Sequence, residues 1–305
     1  MQLRQLLVVI TPHREEQPAL LRARWLAQQT GAAIELLLAE HHPGFEQTLL
    51  LAPEIALQAR DTYLKQQQER LEQLAAPLRD EGLNVTCCLR WGQTLVSHVL
   101  ERVEQLQPDL VLKSARHHGL LSRLLLGNSS WQLLRHCPVP VWLVQREGQQ
   151  PKRLCAALDP THSADKPAAL EHELILASRE LSEKLGLEAS YVHCFAPLPH
   201  SLMFDAELVI DYPGYVAQTE KAHREALINL CSHYNLAPAS THLLSGFAEQ
   251  VIPEFVSTQH IDLLVMGAVS RSQLDSALIG HTAERVLEAV DCDLLVMKPP
   301  AFAEV

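Results

Sequence analysis

The feature that most constrains this chain is that its second half restates its first. DLVLKSA, Asp109 to Ala115, returns as DLLVMGA, Asp262 to Ala268, 153 positions later. At the same offset LLLGNSS, Leu124 to Ser130, meets ALIGHTA, Ala277 to Ala283, and VWLV, Val141 to Val144, meets LLVM, Leu294 to Met297. The two beginnings also correspond: LLVVITP, Leu6 to Pro12, and LCAALDP, Leu154 to Pro160. Four landmarks in one order mark a duplication, so one architecture must be built twice. The 305 residues then supply two ordinary domains. The polar stretch Gln145 to Lys152 reads as the linker, which sets the first domain at 1–148 and the second at 149–305.

Each half alternates short apolar runs with helical stripes. In the first half, strands are expected at Leu6–Ile10, Ile34–Leu38, Val85–Leu89, Leu110–Lys113 and Val141–Val144. Helices are expected over Pro18–Thr30 with Gly31 as its cap, about Pro53–Glu81, Leu95–Leu106 and Ser129–His136. In the second half the strands fall at Leu154–Leu158, Ala189–His193, Ser240–Leu244, Leu263–Met266 and Leu294–Met297. Its helices fall at Ala168–Leu185, about Ala217–Tyr234, Glu249–Gln259 and Thr282–Ala289. Strands joined by helical crossovers cannot pair as hairpins. The expected fold is therefore α/β: two tandem doubly wound domains, each a five-stranded parallel sheet. Ligands of such sheets sit at the carboxyl ends of the strands. The apolar fifth strands would be sheet edges, which invite pairing. Pairing of the two halves around these strands with approximate two-fold symmetry is expected; a homodimer is a further possibility.

Composition removes several function classes. The formal net charge is −11 with no run of Lys and Arg, which argues against nucleic-acid binding. No segment reaches the roughly 18 apolar residues of a spanning helix, and the apolar stretch near the amino terminus is too short for a signal peptide. No membrane insertion and a cytoplasmic location are expected. Seven cysteines without a CxxC spacing read as reduced thiols.

The most informative candidate site follows the fourth strand of the second half: Gly267-Ala-Val-Ser270-Arg271-Ser272, then Gly280-His281-Thr282 opening a helix. Gly267 lets the backbone turn and approach a ligand. The amides of Gly280, His281 and Thr282 stand at a helix amino end, where the dipole favours an anion. Ser270, Ser272 and Thr282 offer hydroxyls and Arg271 a charge. Asp159, after the first strand, could accept from an adenine amine or a ribose hydroxyl. A plainer reading is open as well: Gly280 as a tight turn, Thr282 as an N-cap and Asp159 as a turn residue before Pro160.

These segments resemble the universal stress protein family in its tandem form, over essentially the whole chain. The resemblance rests on Leu158–Pro160, DLLVMGA, GHTAERVLEAVDCDLLVMKP, DLVLK and LLRHCPVPVWLV. It implies a regulatory role in stress, and ATP or a related adenine nucleotide as a small-molecule ligand. ATP-binding members carry Gly-x-x-Gly-x9-Gly-Ser/Thr and an Asp after the first strand. Gly267, Gly280 and Asp159 match that pattern; Ser270 replaces the second glycine and His281 the hydroxyl residue. Cys194 falls where the family places an adenine-contacting aliphatic side chain. The first half departs further, with Ser114, His117 and Asn128 in the motif, only Gly127 retained, and Thr11 in place of the aspartate. Nucleotide is thus expected in the second half and not the first. The resemblance allows slow ATP hydrolysis at most, and no general base is identifiable for it.

Two other function classes stand beside this one. His13, His41, His42, His117 and His118 all fall on loops at strand carboxyl ends of the first half, where they could hold a metal ion. The segment from Ala196 to Val216 is rich in apolar residues and could line a pocket for an apolar small molecule. Alternatively both sites are vestigial and the protein is a structural interaction partner. The vicinal Cys87 and Cys88 are expected to face opposite sides of a strand, and Cys137 and Cys292 to be packing residues.

Overall fold

The computed structural model describes residues 1–42, 44–45, 53–115, 128–145, 148–161, 169–198, 211–268 and 280–298. They form two compact units, one holding the described residues from Gln2 to Gln150 and the other those from Pro151 onward. The first unit runs β1 (Gln5–Val9), α1 (Pro18–Thr30), β2 (Ala33–Glu40), α2 (Pro53–Asp80), β3 (Val85–Trp91), α3 (Leu95–Leu106), β4 (Leu110–Ser114), α4 (Asn128–His136) and β5 (Val141–Val144). The second runs β6 (Arg153–Ala157), α5 (Ala169–Leu185), β7 (Glu188–Phe195), α6 (Tyr212–His233), a 3-10 turn (Pro238–Ser240), β8 (Thr241–Ser245), α7 (Ala248–Thr258), β9 (Leu263–Gly267), α8 (His281–Ala289) and β10 (Asp293–Met297).

Each unit has the expected doubly wound architecture. In the first the strand order is β3-β2-β1-β4-β5, and in the second it is β8-β7-β6-β9-β10. Every neighbouring pair within a unit is parallel. The central strands read as unbroken apolar runs because helices cover both faces. All five residues of β4, and Leu6 to Val9 of β1, are buried.

Local chemistry explains the boundaries. Pro18 opens α1, where its missing N–H costs nothing. Gly31 closes it at φ 73°, with its N–H on Ala27 O at 2.8 Å. One side chain performs the same task in both units. Asp109 Oδ2 accepts from the amides of Arg4 and Gln5 at 2.7 and 2.9 Å, tying the start of β4 to the start of β1. Asp262 Oδ2 accepts from Lys152 and Arg153 at 2.8 and 3.0 Å, tying β9 to β6.

One boundary was misplaced from sequence. The helix expected at about Ala217 begins at Tyr212. Asp211 caps it by accepting from Gly214 N at 3.0 Å, and Pro213 fits the first turn. Tyr212 and Tyr215 therefore belong to a helix and not to an apolar loop. Their hydroxyls hold the backbone of Leu198: Tyr212 donates to Leu198 O at 2.9 Å, and Leu198 N donates to Tyr215 Oη at 3.2 Å. Residues 199–210 of that segment lie outside the described residues.

A buried carboxylate of the first unit is paired with a half-buried arginine. Glu35 of β2 is buried, and the Arg102 guanidinium of α3 grips it with both arms, Nε to Oε1 at 2.5 Å and Nη2 to Oε2 at 2.7 Å. The carboxylate raises the Arg102 pKa above its ordinary value, chiefly through that hydrogen bond.

Candidate functional site

In both sheets the strand order reverses beside the first strand, between β1 and β4 and between β6 and β9. That reversal opens a crevice at the carboxyl ends. The candidate residues of the second unit are delivered there by three strands. Asp159 follows β6, Cys194 lies near the end of β7, and Gly267 ends β9. Asp159 is half-buried and Thr161 Oγ1 donates to its Oδ1 at 2.8 Å. Its charge acts on both Cys194 and His193. Burial above all, helped by Asp159 and Glu249, pushes the Cys194 thiol up to about 12, so it stays protonated.

His193 was not singled out from sequence. It is buried, and its Nδ1 lies 3.1 Å from Leu158 O, which can only accept; Nδ1 therefore carries the proton. Its Nε2 meets His223 Nδ1 at 2.8 Å. His223 also stacks on Phe195 at 5.4 Å. Burial depresses the His193 pKa, so the ring is neutral at pH 7. This chain of rings fixes the backbone immediately before Asp159.

Gly267 has a packing role. A Cβ built on it would stand 2.5 Å from Leu170 Cδ2 of α5, so the missing side chain lets that helix lie close against β9. Gly267→Ala is expected to cost about 1–3 kcal/mol by overpacking, and Leu170→Ala in the same chain to recover part of it. Urea titration of the single and double variants measures this; strictly additive losses would remove the packing explanation.

The N-cap of α8 is Gly280 at φ −61°, so Thr282, which is exposed, is not the cap. Glu284 N donates to Gly280 O at 3.0 Å, and the amides of His281 and Thr282 lie in the first turn without an intrahelical acceptor. The side chain of His281, and Ser270 and Arg271 altogether, lie outside the described residues.

The corresponding place in the first unit is arranged differently. Thr11 N donates to Gln17 Oε1 at 3.0 Å and Thr11 O accepts from Gln17 Nε2 at 2.8 Å, so a buried glutamine side chain occupies both backbone groups. Ser114, matched to Gly267, is buried and its Oγ accepts from Ala19 N at 3.1 Å. Lys113, where the second unit has Met266, is buried and reaches Ser130 Oγ at 3.0 Å in the first turn of α4. No periodicity signals a lysine inside an apolar strand as a partner of a helix start, and sequence reading passed over it.

Among the described residues the first-half histidines His13, His41 and His42 are not grouped as a ligand set. His41 and His42 join an aromatic cluster: His41 lies 6.1 Å from Trp91, and His42 5.5 Å from Phe45. Tyr63 of α2 completes it and donates to Glu40 Oε2 at 3.0 Å. Burial, then the neighbouring carboxylate, push the Tyr63 hydroxyl up to about 12. His13 sits in a turn at φ 55°, and His117 and His118 lie outside the described residues. Among the described residues no three of His, Cys, Asp and Glu are grouped to hold a metal ion. The seven cysteines are all free thiols. Cys87 is half-buried with its pKa pushed up to about 11 by burial, while Cys88, Cys137 and Cys292 are buried. Among the described residues no helix is long and apolar enough to cross a membrane.

A duplicated 3-2-1-4-5 parallel sheet, each copy wound with helices between its strands, defines a tandem doubly wound α/β class. The chain belongs to the universal stress protein family, whose model matches it twice, at residues 2–145 and 151–298. It is 29% identical over 300 residues to universal stress protein E of Salmonella typhi, covering 97% of this chain and 95% of that one. It is 28% identical over 310 residues to the universal stress protein E homolog of Haemophilus influenzae, covering 98% of each. Among solved structures, a putative universal stress protein from Pseudomonas aeruginosa superposes with a TM-score of 0.72 at 24% identity, covering 98% of this chain and 94% of that one. A universal stress protein from Archaeoglobus fulgidus superposes with a TM-score of 0.68 at 16% identity, covering 98% and 100%.

Proposed function

We propose that this protein is a stress-response regulatory protein that binds ATP or a related adenine nucleotide in its second unit and not in its first. The supporting observation is the contrast between Asp159 and Thr11. Asp159 stands at the crevice as a carboxylate whose field reaches Cys194 and His193. Thr11 offers no acid, and Gln17 already occupies its backbone groups. In this reading Asp159 accepts from the base or ribose, Cys194 walls the adenine, and the first-turn amides of α8 with Gly280, His281 and Thr282 receive phosphate. Ser270 and Arg271 would complete the cradle, and hydrolysis is slow at most.

Calorimetry with ATP is expected to give one site per chain. Asp159→Ala should weaken it about tenfold or more, the value of one hydrogen bond to a charged group, and Thr11→Ala should leave it unchanged. Two equal sites, or an unaffected Asp159→Ala variant, would overturn the reading.

A further inference from the structure

We propose that the second unit binds a small aromatic carboxylic acid in a cleft at the amino ends of β6, β7 and β8, the end of the sheet opposite the crevice. The cleft encloses about 390 Å³. Strand register places its polar groups on one face of the sheet. Arg153 of β6 stands opposite Glu188 of β7, and His242 of β8 stands opposite Val192, further along β7. Alternate residues of a strand share a face, so Arg153, Glu188 and His242 lie on the same one. Helix α7 covers that face. Its Phe255 ring lies 5.0 Å from the His242 ring, and Gln259 O, just past its end, accepts from Arg153 Nη1 at 3.1 Å. Where larger side chains would fill the space, the cleft is lined by Ala189, Ala237 and Ala239.

Two groups lining the cleft keep unused donors. The Arg153 guanidinium has five N–H bonds to give. One runs from Nε to Glu188 Oε2 at 3.1 Å and one from Nη1 to Gln259 O, and among the described residues the Nη2 arm meets no acceptor. The Glu188 side chain is 78% exposed, so this is a loose surface pair that an incoming carboxylate can replace. His242 packs on Phe255 and makes no hydrogen bond among the described residues. Burial holds its pKa below the ordinary value, so the ring is neutral at pH 7 with one N–H to donate. A guanidinium fork beside an imidazole N–H is complementary to a carboxylate. The Phe255 ring and the alanine lining are complementary to a flat apolar body. An aromatic acid carries both. Neither Asp159 nor the first turn of α8 lines this cleft, so the inference stands apart from the nucleotide reading.

Calorimetry on the full chain with three probes of similar shape tests it: phenylacetate, phenylacetamide, which lacks the charge, and cyclohexylacetate, which lacks the aromatic ring. Phenylacetate should bind at least about tenfold more tightly than phenylacetamide and about threefold more tightly than cyclohexylacetate. Arg153→Met should remove the preference for acid over amide. Glu188→Gln should tighten phenylacetate about threefold by removing the competing carboxylate. Phe255→Leu should erase the preference for the aromatic ring. Should that variant fail to fold, Ala239→Leu, at an exposed position, should block the cleft and abolish binding. ATP should not displace phenylacetate, because the two sites lie at opposite ends of the sheet. Equal binding of acid and amide, cyclohexylacetate as tight as phenylacetate, phenylacetate binding that survives Arg153→Met unchanged, displacement by ATP, or no binding of any probe would each overturn the proposal.

Discussion

Arg102→Met is expected to lower the stability of the first unit by about 3–5 kcal/mol, the usual cost of stranding one partner of a buried ion pair. The side chain of Glu35 is 5% exposed and that of Arg102 23%, so the loss of the guanidinium would leave a largely buried carboxylate without its main partner. After the substitution the carboxylate keeps only the weak contact from Thr86 Oγ1 at 3.5 Å. The diagnostic result is the double variant. Glu35→Leu with Arg102→Met removes both charges and should recover most of the loss, because the cost lies in the unpaired charge and not in the volume. All four tryptophans of the chain lie between positions 25 and 142, so their fluorescence in urea follows the first unit by itself. A double variant as unstable as the sum of the singles would show that the pair acts through packing.

Trp142→Ala is expected to destabilise the same unit by about 3–5 kcal/mol, as for other large aromatic truncations. Trp142, in the middle of β5, is fully buried. The Arg22 guanidinium of α1 sits 5.9 Å from its ring and 5.6 Å from that of Trp25, so truncation also strips a buried cation of one aromatic face. Trp142→Phe should cost clearly less, since it refills most of the volume. The matching residue of the second unit is Leu295, also fully buried. Leu295→Ala should cost about 2–5 kcal/mol without moving the tryptophan transition of the first unit. A loss below about 1 kcal/mol for Trp142→Ala would mean that β5 can collapse around the gap.

The repeat, the element order and the parallel sheets were legible because each has a short-range cause. Apolar runs such as Leu110 to Leu112 need burial on both faces, Gly31 supplies the left-handed cap that ends α1, and VWLV predicts β5 to the residue. The start of α6 was legible too, in Asp211 and Pro213, but the apolar residues before it masked that cap signal. The candidate crevice was legible as positions: Asp159, Cys194 and Gly267 all arrive at carboxyl ends. The role of Gly267 was not, because the atom that explains it belongs to Leu170, 97 residues earlier in the chain.

What the sequence determines by itself is thus two copies of a five-stranded doubly wound domain, with unequal residues at equivalent strand ends. The tertiary structure alone decides the strand order and the partners of the polar side chains in the core. Arg102 closes on Glu35, 67 residues before it, Gln17 claims Thr11, His223 meets His193, and Glu40 is left with one oxygen unmet. The reason is range. Periodicity and capping act over a turn or two of chain, whereas a buried charge or imidazole is paired by whatever the crossover helices carry across the sheet, and no local pattern records that.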